Sequence, residues 1–226
     1  MRIFCTGASG YIGGSIAMAL AAAGHEVSGL VRSERSAEQV RAFGIAPVHG
    51  TLDDVDVLKA AAVHADAVLN AANADHEPSA RAMLGAIEGT GKAYIHTSGS
   101  SIVATQSAGR RVDAIFEEDT PITPSSGRAA RVALNEYILA FKTKDVRSII
   151  ICPSLIYGVG HGPAKHSMQI PLLIALAKKS GVAKHYGPVK TSGQTCISMI
   201  WLISIALLSH QLQQAHSILP RTARTR

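Results

Sequence analysis

Three glycines spaced three residues apart, Gly7, Gly10 and Gly13, follow the apolar run Arg2-Ile3-Phe4-Cys5-Thr6 and precede an Ala-rich stretch from Ser15 to Ala23. Glycines at this spacing do one kind of chemistry well: they bring backbone N–H groups up to an anion. Gly7 permits a tight turn, Gly10 lets amides approach a diphosphate, and Gly13 lets a helix lie close on its strand. The helix N-terminus then faces the anion. Ser9, Tyr11 and Ile12 complete the loop. A glycine triplet alone is weak evidence, but one between a strand and a helix predicts a dinucleotide-phosphate grip.

Other chemistry-bearing residues fall just after later apolar runs. Leu30-Val31-Arg32-Ser33 carries no acid to hold a ribose 2′-hydroxyl. Arg32 and Ser33 suit a 2′-phosphate, because a guanidinium binds phosphate through two parallel hydrogen bonds. The expected cofactor is therefore NADP, with NAD as the alternative. Thr51 and Leu52 are expected beside the adenine, and Asn70, Ala71 and Ala72 are small enough for close passage of the cofactor. The run Thr97-Ser98-Gly99-Ser100-Ser101 clusters hydroxyls where ligands of open α/β sheets bind. Ser98 and Ser100 are the candidate catalytic groups.

The elements that must position these residues alternate. Strands are expected at Arg2–Cys5, Glu26–Val31, Ala46–His49, Ala67–Asn70, Ala93–Thr97 and Ser148–Cys152, several without polar alternation, as a sheet covered on both faces requires. Helical patterns lie between them at Tyr11–Ala23, Ser36–Phe43, Val55–Val63, Glu77–Thr90 and Arg128–Lys142. Ser36 with Gln39 fits a capping box, and Gly24 sits where a helix should stop. The repeat predicts a doubly wound parallel sheet. The polar stretch Ser107–Gly127 is placed to frame a substrate.

Composition narrows the classes. The chain has 226 residues and a formal net charge of +6. Up to Asp145 there are 13 Lys/Arg against 16 Asp/Glu; from Val146 onward there are 9 Lys/Arg and no acid. The positive excess thus comes from missing acids rather than clustered bases, which argues against nucleic acid as a partner. No secretory leader is read at the start, and the longest late apolar run, Cys196–Leu208, is short for a membrane span. Cys5, Cys152 and Cys196 show no metal or paired spacing and read as reduced thiols of a cytoplasmic protein.

From Met1 to about Lys190 the sequence resembles the extended and atypical short-chain dehydrogenase/reductases, including the nucleotide-sugar epimerase and dehydratase relatives. The resemblance rests on Thr6-Gly7-Ala8-Ser9-Gly10-Tyr11-Ile12-Gly13, Asn70-Ala71-Ala72, His96-Thr97-Ser98-Gly99-Ser100-Ser101 and Cys152-Pro153-Ser154-Leu155-Ile156-Tyr157-Gly158. The last element has Cys152 where the family carries arginine. The resemblance implies a Rossmann-type fold, NADP-dependent chemistry on a small carbonyl or hydroxyl substrate, and cofactor contacts that include Thr97 and Pro153. It divides the chain into a nucleotide domain (1–158), a small, incomplete substrate lobe (159–190) and an anomalous tail (191–226). The apolar faces of the fourth and fifth helices would permit a homodimer. The family's chemistry needs a Tyr with a Lys four residues later, the lysine lowering the tyrosine pKa. Matching Glu136-Tyr137-Ile138-Leu139 to the family puts Arg128 in the tyrosine's place and Val132 in the lysine's. Tyr137 is followed by Phe141, and the family serine falls nearest Gly99. Tyr157 and His96 are alternative acid/base groups, each read as structural. Two further readings stay open: a non-catalytic NADP-sensing regulator and an inactive fragment.

The tail departs from the family at Thr191. An allowed codon choice for Ser192–Ile205, regrouped from the last base of the Ser192 codon, reads Trp-Ser-Asn-Val-His-Ile-Asp-Asp-Leu-Ala-Asp-Leu-Tyr, the segment the family carries here. The same shift turns Pro220–Thr225 into a family-like run. Residues from about Lys190 to Arg226 are therefore expected to be read out of frame, the alternative being a divergent amphipathic C-terminal helix. Sequencing the locus should show a frame change near the Ser192 codon; an uninterrupted, verified frame would overturn this.

Overall fold

The computed structural model describes residues 1–184, apart from Gln106, Gly109, Arg111 and Glu118, together with the short segment 195–197. Six apolar runs form parallel strands: β1 (Arg2–Thr6), β2 (Glu26–Val31), β3 (Ala46–His49), β4 (Ala67–Asn70), β5 (Ala93–Thr97) and β6 (Arg147–Ile151). They lie in the order β3-β2-β1-β4-β5-β6. The chain thus winds outward from β1 in one direction and then from β4 in the other, the doubly wound arrangement. Helices α1 (Tyr11–Ala22), α2 (Glu34–Arg41), α3 (Val55–His64), α4 (Glu77–Ile87) and α5 (Ala129–Ala140) connect successive strands.

Helices on both faces create two cores. One gathers Ile3, Cys5, Ile16, Leu20, Val27 and Leu69; the other gathers Phe4, Leu58, Met83, Tyr94, Ile138 and Ile150. Ile3 and Phe4 fall in different cores because neighbouring strand residues point to opposite faces.

Local chemistry sets the element ends. Helix α1 closes through Gly24 (φ +85°), with its N–H on Ala21 O and the His25 N–H on Leu20 O, a Schellman stop. Helix α2 begins earlier than the sequence pattern suggests: Ser33, not Ser36, is its N-cap and accepts from the Ser36 N–H. Helix α4 ends at Ile87 rather than Thr90, because Gly89 and Gly91 both take positive φ. Helix α5 gives way to a tight turn at Phe141–Lys144 that exits through Asp145 in the left-handed region. Strand β6 starts and ends one residue earlier than expected.

Two elements beyond the alternating pattern follow. Strand β7 (Leu155–Tyr157) pairs in parallel with β8 (Thr195–Ile197) in a separate two-stranded sheet. Three-residue strands are too short to leave a periodic signature. Helix α6 (Gln169–Ser180) has no buried residue, and Leu172, Leu173, Ile174 and Leu176 are about half exposed. Apart from 195–197, the anomalous tail lies outside the described residues.

Glycines govern the approach of α1 to its neighbours. Gly7 sits at φ +75°, and a Cβ on Gly13 would stand 2.5 Å from Gly7 O. On the other side of the helix, a Cβ on Gly162 would stand 2.3 Å from the Gly14 carbonyl carbon. The Ser15 hydroxyl donates to Tyr11 O at 2.6 Å and accepts the N–H groups of His161 (3.0 Å) and Gly162 (3.4 Å). The segment after β7 is thereby strapped across the start of α1. Gly13→Ala should destabilise the domain by about 1–3 kcal/mol, the usual cost of overpacking. Thermal unfolding would read this as a lowered midpoint; an unchanged midpoint would mean that α1 does not sit this close.

Candidate active site

A cleft of about 1530 Å³ opens along the carboxyl ends of the strands. Its central stretch is the turn after β1: Gly7, Ser9, Gly10, Tyr11 and Ile12 all line it. The turn is self-supporting, with the Gly10 N–H on Gly7 O at 2.9 Å and the Gly14 N–H on Gly10 O at 3.0 Å. Gly10 is the extended N-cap of α1 and has no side-chain cap. The first amides of the helix are thus left for an anion. Tyr11 carries its hydroxyl to Gly158 O at 3.1 Å, so its ring props the strap beside the turn.

Toward β2 and β3 the cleft is lined by Arg32, Thr51 and Leu52. Arg32 is exposed at the end of β2. The adjacent carboxylate, Glu34, is held by Arg41 (2.5 Å) and lies 3.4 Å from His49. Its pKa is lowered chiefly by the Arg41 hydrogen bond. Ser33 does not line the cleft; its hydroxyl caps α2 and lies 3.0 Å from the Ser36 hydroxyl. Thr51 donates its hydroxyl to Asp54 at 2.9 Å. His76 bridges the loops, accepting from the Ser79 N–H at 3.3 Å and standing 3.2 Å from Asp53.

Toward β4, β5 and β6 lie Ala71, Ala72, Ser98, Ser100 and Pro153, all lining the cleft. The Ser98 N–H donates to Ile151 O (2.8 Å) and the Ser100 N–H to Pro153 O (3.0 Å). The hydroxyl run is therefore zipped to the segment leaving β6. Ser98 is buried, accepts from Asn135 Nδ2 at 3.0 Å, and faces the Cys152 thiol. Burial pushes that thiol up, with the Ser98 hydroxyl opposing. The Ser100 hydroxyl has no partner among the described residues. Of the two candidates, Ser100 is the one whose hydroxyl is uncommitted among the described residues.

Asn70 and Thr97 do not line the cleft but sit beneath it. Asn70 is buried, accepting from the Thr6 hydroxyl at 2.6 Å and donating to the Tyr94 hydroxyl at 3.0 Å, with His96 Nδ1 at 3.2 Å. Thr6 also accepts the Ala71 N–H at 3.2 Å, so this network fixes the backbone after β4. Thr97 is buried with its hydroxyl unpaired among the described residues. Tyr157 does not line the cleft. His96 is fully buried, and desolvation lowers its pKa to about 4. It is therefore neutral at pH 7.

The helix alignment placed Val132 where a lysine belongs, and Val132 is buried in the second core. Arg128 and Arg131 line the cleft instead. Arg131 Nε donates to Asp75 Oδ1 at 2.7 Å, and Nη2 donates to the other carboxylate oxygen. Its Nη1 lies 3.5 Å from the Ser101 hydroxyl. The Arg131 hydrogen bond holds the Asp75 carboxyl below its usual range. Sequence reasoning missed Arg131, Asp75 and Asn135; the signal was available in Arg131 and Asn135, one helical turn apart on α5. Asp75 was visible only as an acid after β4. Thr105, Ser107, Val112 and Phe116 of the long loop also line the cleft. Among the described residues no metal-binding cluster occurs, and no helix is long and apolar enough to cross a membrane.

A glycine turn under a capless helix start, on this strand order, defines a dinucleotide-binding α/β protein. The chain belongs to the NAD dependent epimerase/dehydratase family, whose model matches residues 3–195. It is 34% identical over 205 residues to uncharacterized protein C2A9.02 of Schizosaccharomyces pombe, covering 87% of this chain and 65% of that protein. It is 34% identical over 213 residues to oxidase ucsJ of an Acremonium species, covering 84% of this chain and 61% of that one. The chain thus spans less than two thirds of these relatives' length. Its fold superposes on dTDP-glucose 4,6-dehydratase of Bacillus anthracis in complex with NAD, with a TM-score of 0.75 at 17% identity over 97% of this chain and 74% of that one.

The buried imidazole gives the fold a pH dependence. Its folded value lies below the ordinary 6.5, so the unfolded chain takes up that proton first. The His96 contribution to stability is present above pH 6.5 and is lost as pH falls toward about 4. Urea midpoints measured across this window should fall with pH, and His96→Gln should flatten the slope. An NMR titration of His96 with its midpoint near 6.5 would refute the assignment.

Proposed function

We propose that this chain is an NADP-dependent oxidoreductase, or an epimerase/dehydratase-like enzyme, acting on a small carbonyl or hydroxyl substrate. The observation that carries the reading is the continuity of one cleft from Arg32, past the Gly7–Ile12 turn, to Ser98 and Ser100. The residues fit a dinucleotide. The Gly7 and Gly13 positions admit no side chain, the α1 amides are uncapped, and Arg32 stands free of the neighbouring Glu34–Arg41 pair. A bound nicotinamide would supply or accept a hydride.

The protein's own residues would hold the substrate. Ser100 offers a hydroxyl to the substrate oxygen, and Ser98, fixed by Asn135, shapes the floor beside it. Arg128 brings a fixed positive charge to the cleft. A guanidinium stays protonated at any working pH, so Arg128 stabilises negative charge on oxygen rather than relaying a proton. The kinship with an oxidase supports redox chemistry. The buried free thiols of Cys5, pushed up to about 12, and Cys152 suit a reducing, cytoplasmic setting. A second reading, a non-catalytic NADP sensor, is favoured by Val132 lying in the core where a lysine would act.

Fluorescence titration with NADPH and NADH, followed by a panel of carbonyl compounds, tests this. NADPH should bind about tenfold tighter than NADH, a difference on the order of one charge-assisted bond pair. Arg32→Ala should abolish that preference while leaving NADH binding unchanged. Turnover supports the enzyme and binding without turnover the sensor. Failure to bind either dinucleotide overturns both.

A further inference from the structure

We propose that Arg131, aimed by Asp75, is the cation that holds the nicotinamide-side ribose in this chain. The inference rests on the dinucleotide reading above. A diphosphate on the β1 turn divides the cleft in two. Arg32, Thr51 and Leu52 lie on the β2–β3 side, with the adenosine half. The second ribose must then cross the ends of β4 and β5, where Ala71, Ala72 and Ser98–Ser101 line the cleft.

Arg131 is built into that end. It leaves the first turns of α5 and reaches the loop after β4, where Nε and Nη2 are both spent on Asp75. This two-point grip fixes the guanidinium plane and leaves Nη1 pointing at the β5 end. There it lies 3.5 Å from the Ser101 hydroxyl and 3.5 Å from where a Gly99 Cβ would be. A Cβ at position 99 would therefore rest in ordinary contact with Nη1. The Arg131 side chain is only 15% exposed, so Nη1 acts at low dielectric, where a charge-assisted bond to a hydroxyl is strengthened. Val132, the next residue, is turned into the core and offers no donor. A ribose diol needs donors at its oxygens, and Nη1 with the Ser101 hydroxyl can supply them.

The test compares two ligands by calorimetry on the full chain: NADPH, and 2′,5′-ADP, which lacks the second ribose and the nicotinamide. Arg131→Ala should weaken NADPH by about tenfold, the loss of one charged hydrogen bond, and leave 2′,5′-ADP within about twofold of wild type. If that variant does not fold, Arg131→Lys, which can keep one bond to Asp75 but loses Nη1, should show the same NADPH-selective loss. Equal weakening of both ligands would assign Arg131 a purely structural role and overturn the proposal, as would no change in either. If wild type binds 2′,5′-ADP but Arg131→Ala leaves NADPH untouched, only the ribose assignment fails. If wild type binds neither ligand, the dinucleotide reading fails with it.

Discussion

Everything in this structure that could bind a nucleotide depends on backbone meeting backbone without a side chain between. Helix α1 lies against the β1 turn because Gly13 presents no Cβ to Gly7 O, and its other face accepts the strap because Gly162 presents none to the Gly14 carbonyl and Gly14 none to Pro163. Ser15 then joins the two contacts, bonding inward to Tyr11 O and outward to the His161 and Gly162 amides. The uncapped amides at the start of α1 and the segment after β7 are therefore registered to the same helical turn. Interiors this close-packed transmit small displacements rather than absorbing them.

The electrostatics of the cleft follow from the same winding. Parallel strands deliver their carboxyl ends to one edge, and what stands there is a row of loops with few acids. Two carboxylates near the cleft are paired with cations, Glu34 with Arg41 and Asp75 with Arg131, whereas Asp54 bonds only to neutral Thr51 and Asp53, which lines the cleft, is exposed beside His76. Each arginine pair offsets one negative charge that would otherwise repel an anionic ligand, whereas the Thr51 bonds keep Asp54 charged. Exposed pairs of this kind contribute little to stability; their consequence here is to leave Arg32 and Arg128 as positive groups facing the cleft.

The sheet was legible because its strands are short, largely apolar runs; four of the six match their expected bounds, β1 runs one residue longer, and β6 is shifted by one residue at both ends. The glycine turn after β1 was legible for a different reason: its glycines answer to local geometry, which sequence spacing encodes directly. Helix ends were less so. Ser33 and Ser36 are both competent caps, and it is Ser33, with its extended backbone two residues after β2, that accepts the Ser36 N–H. The reacting end was least legible, because its contacts are long-range. Arg131 meets Asp75 across 56 positions and Asn135 meets Ser98 across 37. Sequence spacing cannot report such pairs, whereas a shift of one position on a helix, from Val132 to Arg131, turns a side chain by about 100° and exchanges core for cleft.

That one-position difference changes what chemistry the cleft can do. A tyrosine with a lysine beside it moves protons because its pKa can be brought near neutrality. Two arginines cannot be tuned in this way, since a guanidinium keeps its proton. What they do instead is hold charge still, Arg131 fixed by Asp75 and Arg128 with no side-chain hydrogen-bond partner among the described residues but within electrostatic reach of Asp75. His96 cannot supply the missing proton either, being buried, neutral and engaged with Asn70. A cleft so equipped presents preorganised positive groups, which favour negative charge on oxygen, rather than a proton relay. The serine run fits that demand better than it fits acid/base catalysis: its backbone is zipped to the end of β6, so the Ser100 hydroxyl is presented from a rigid edge.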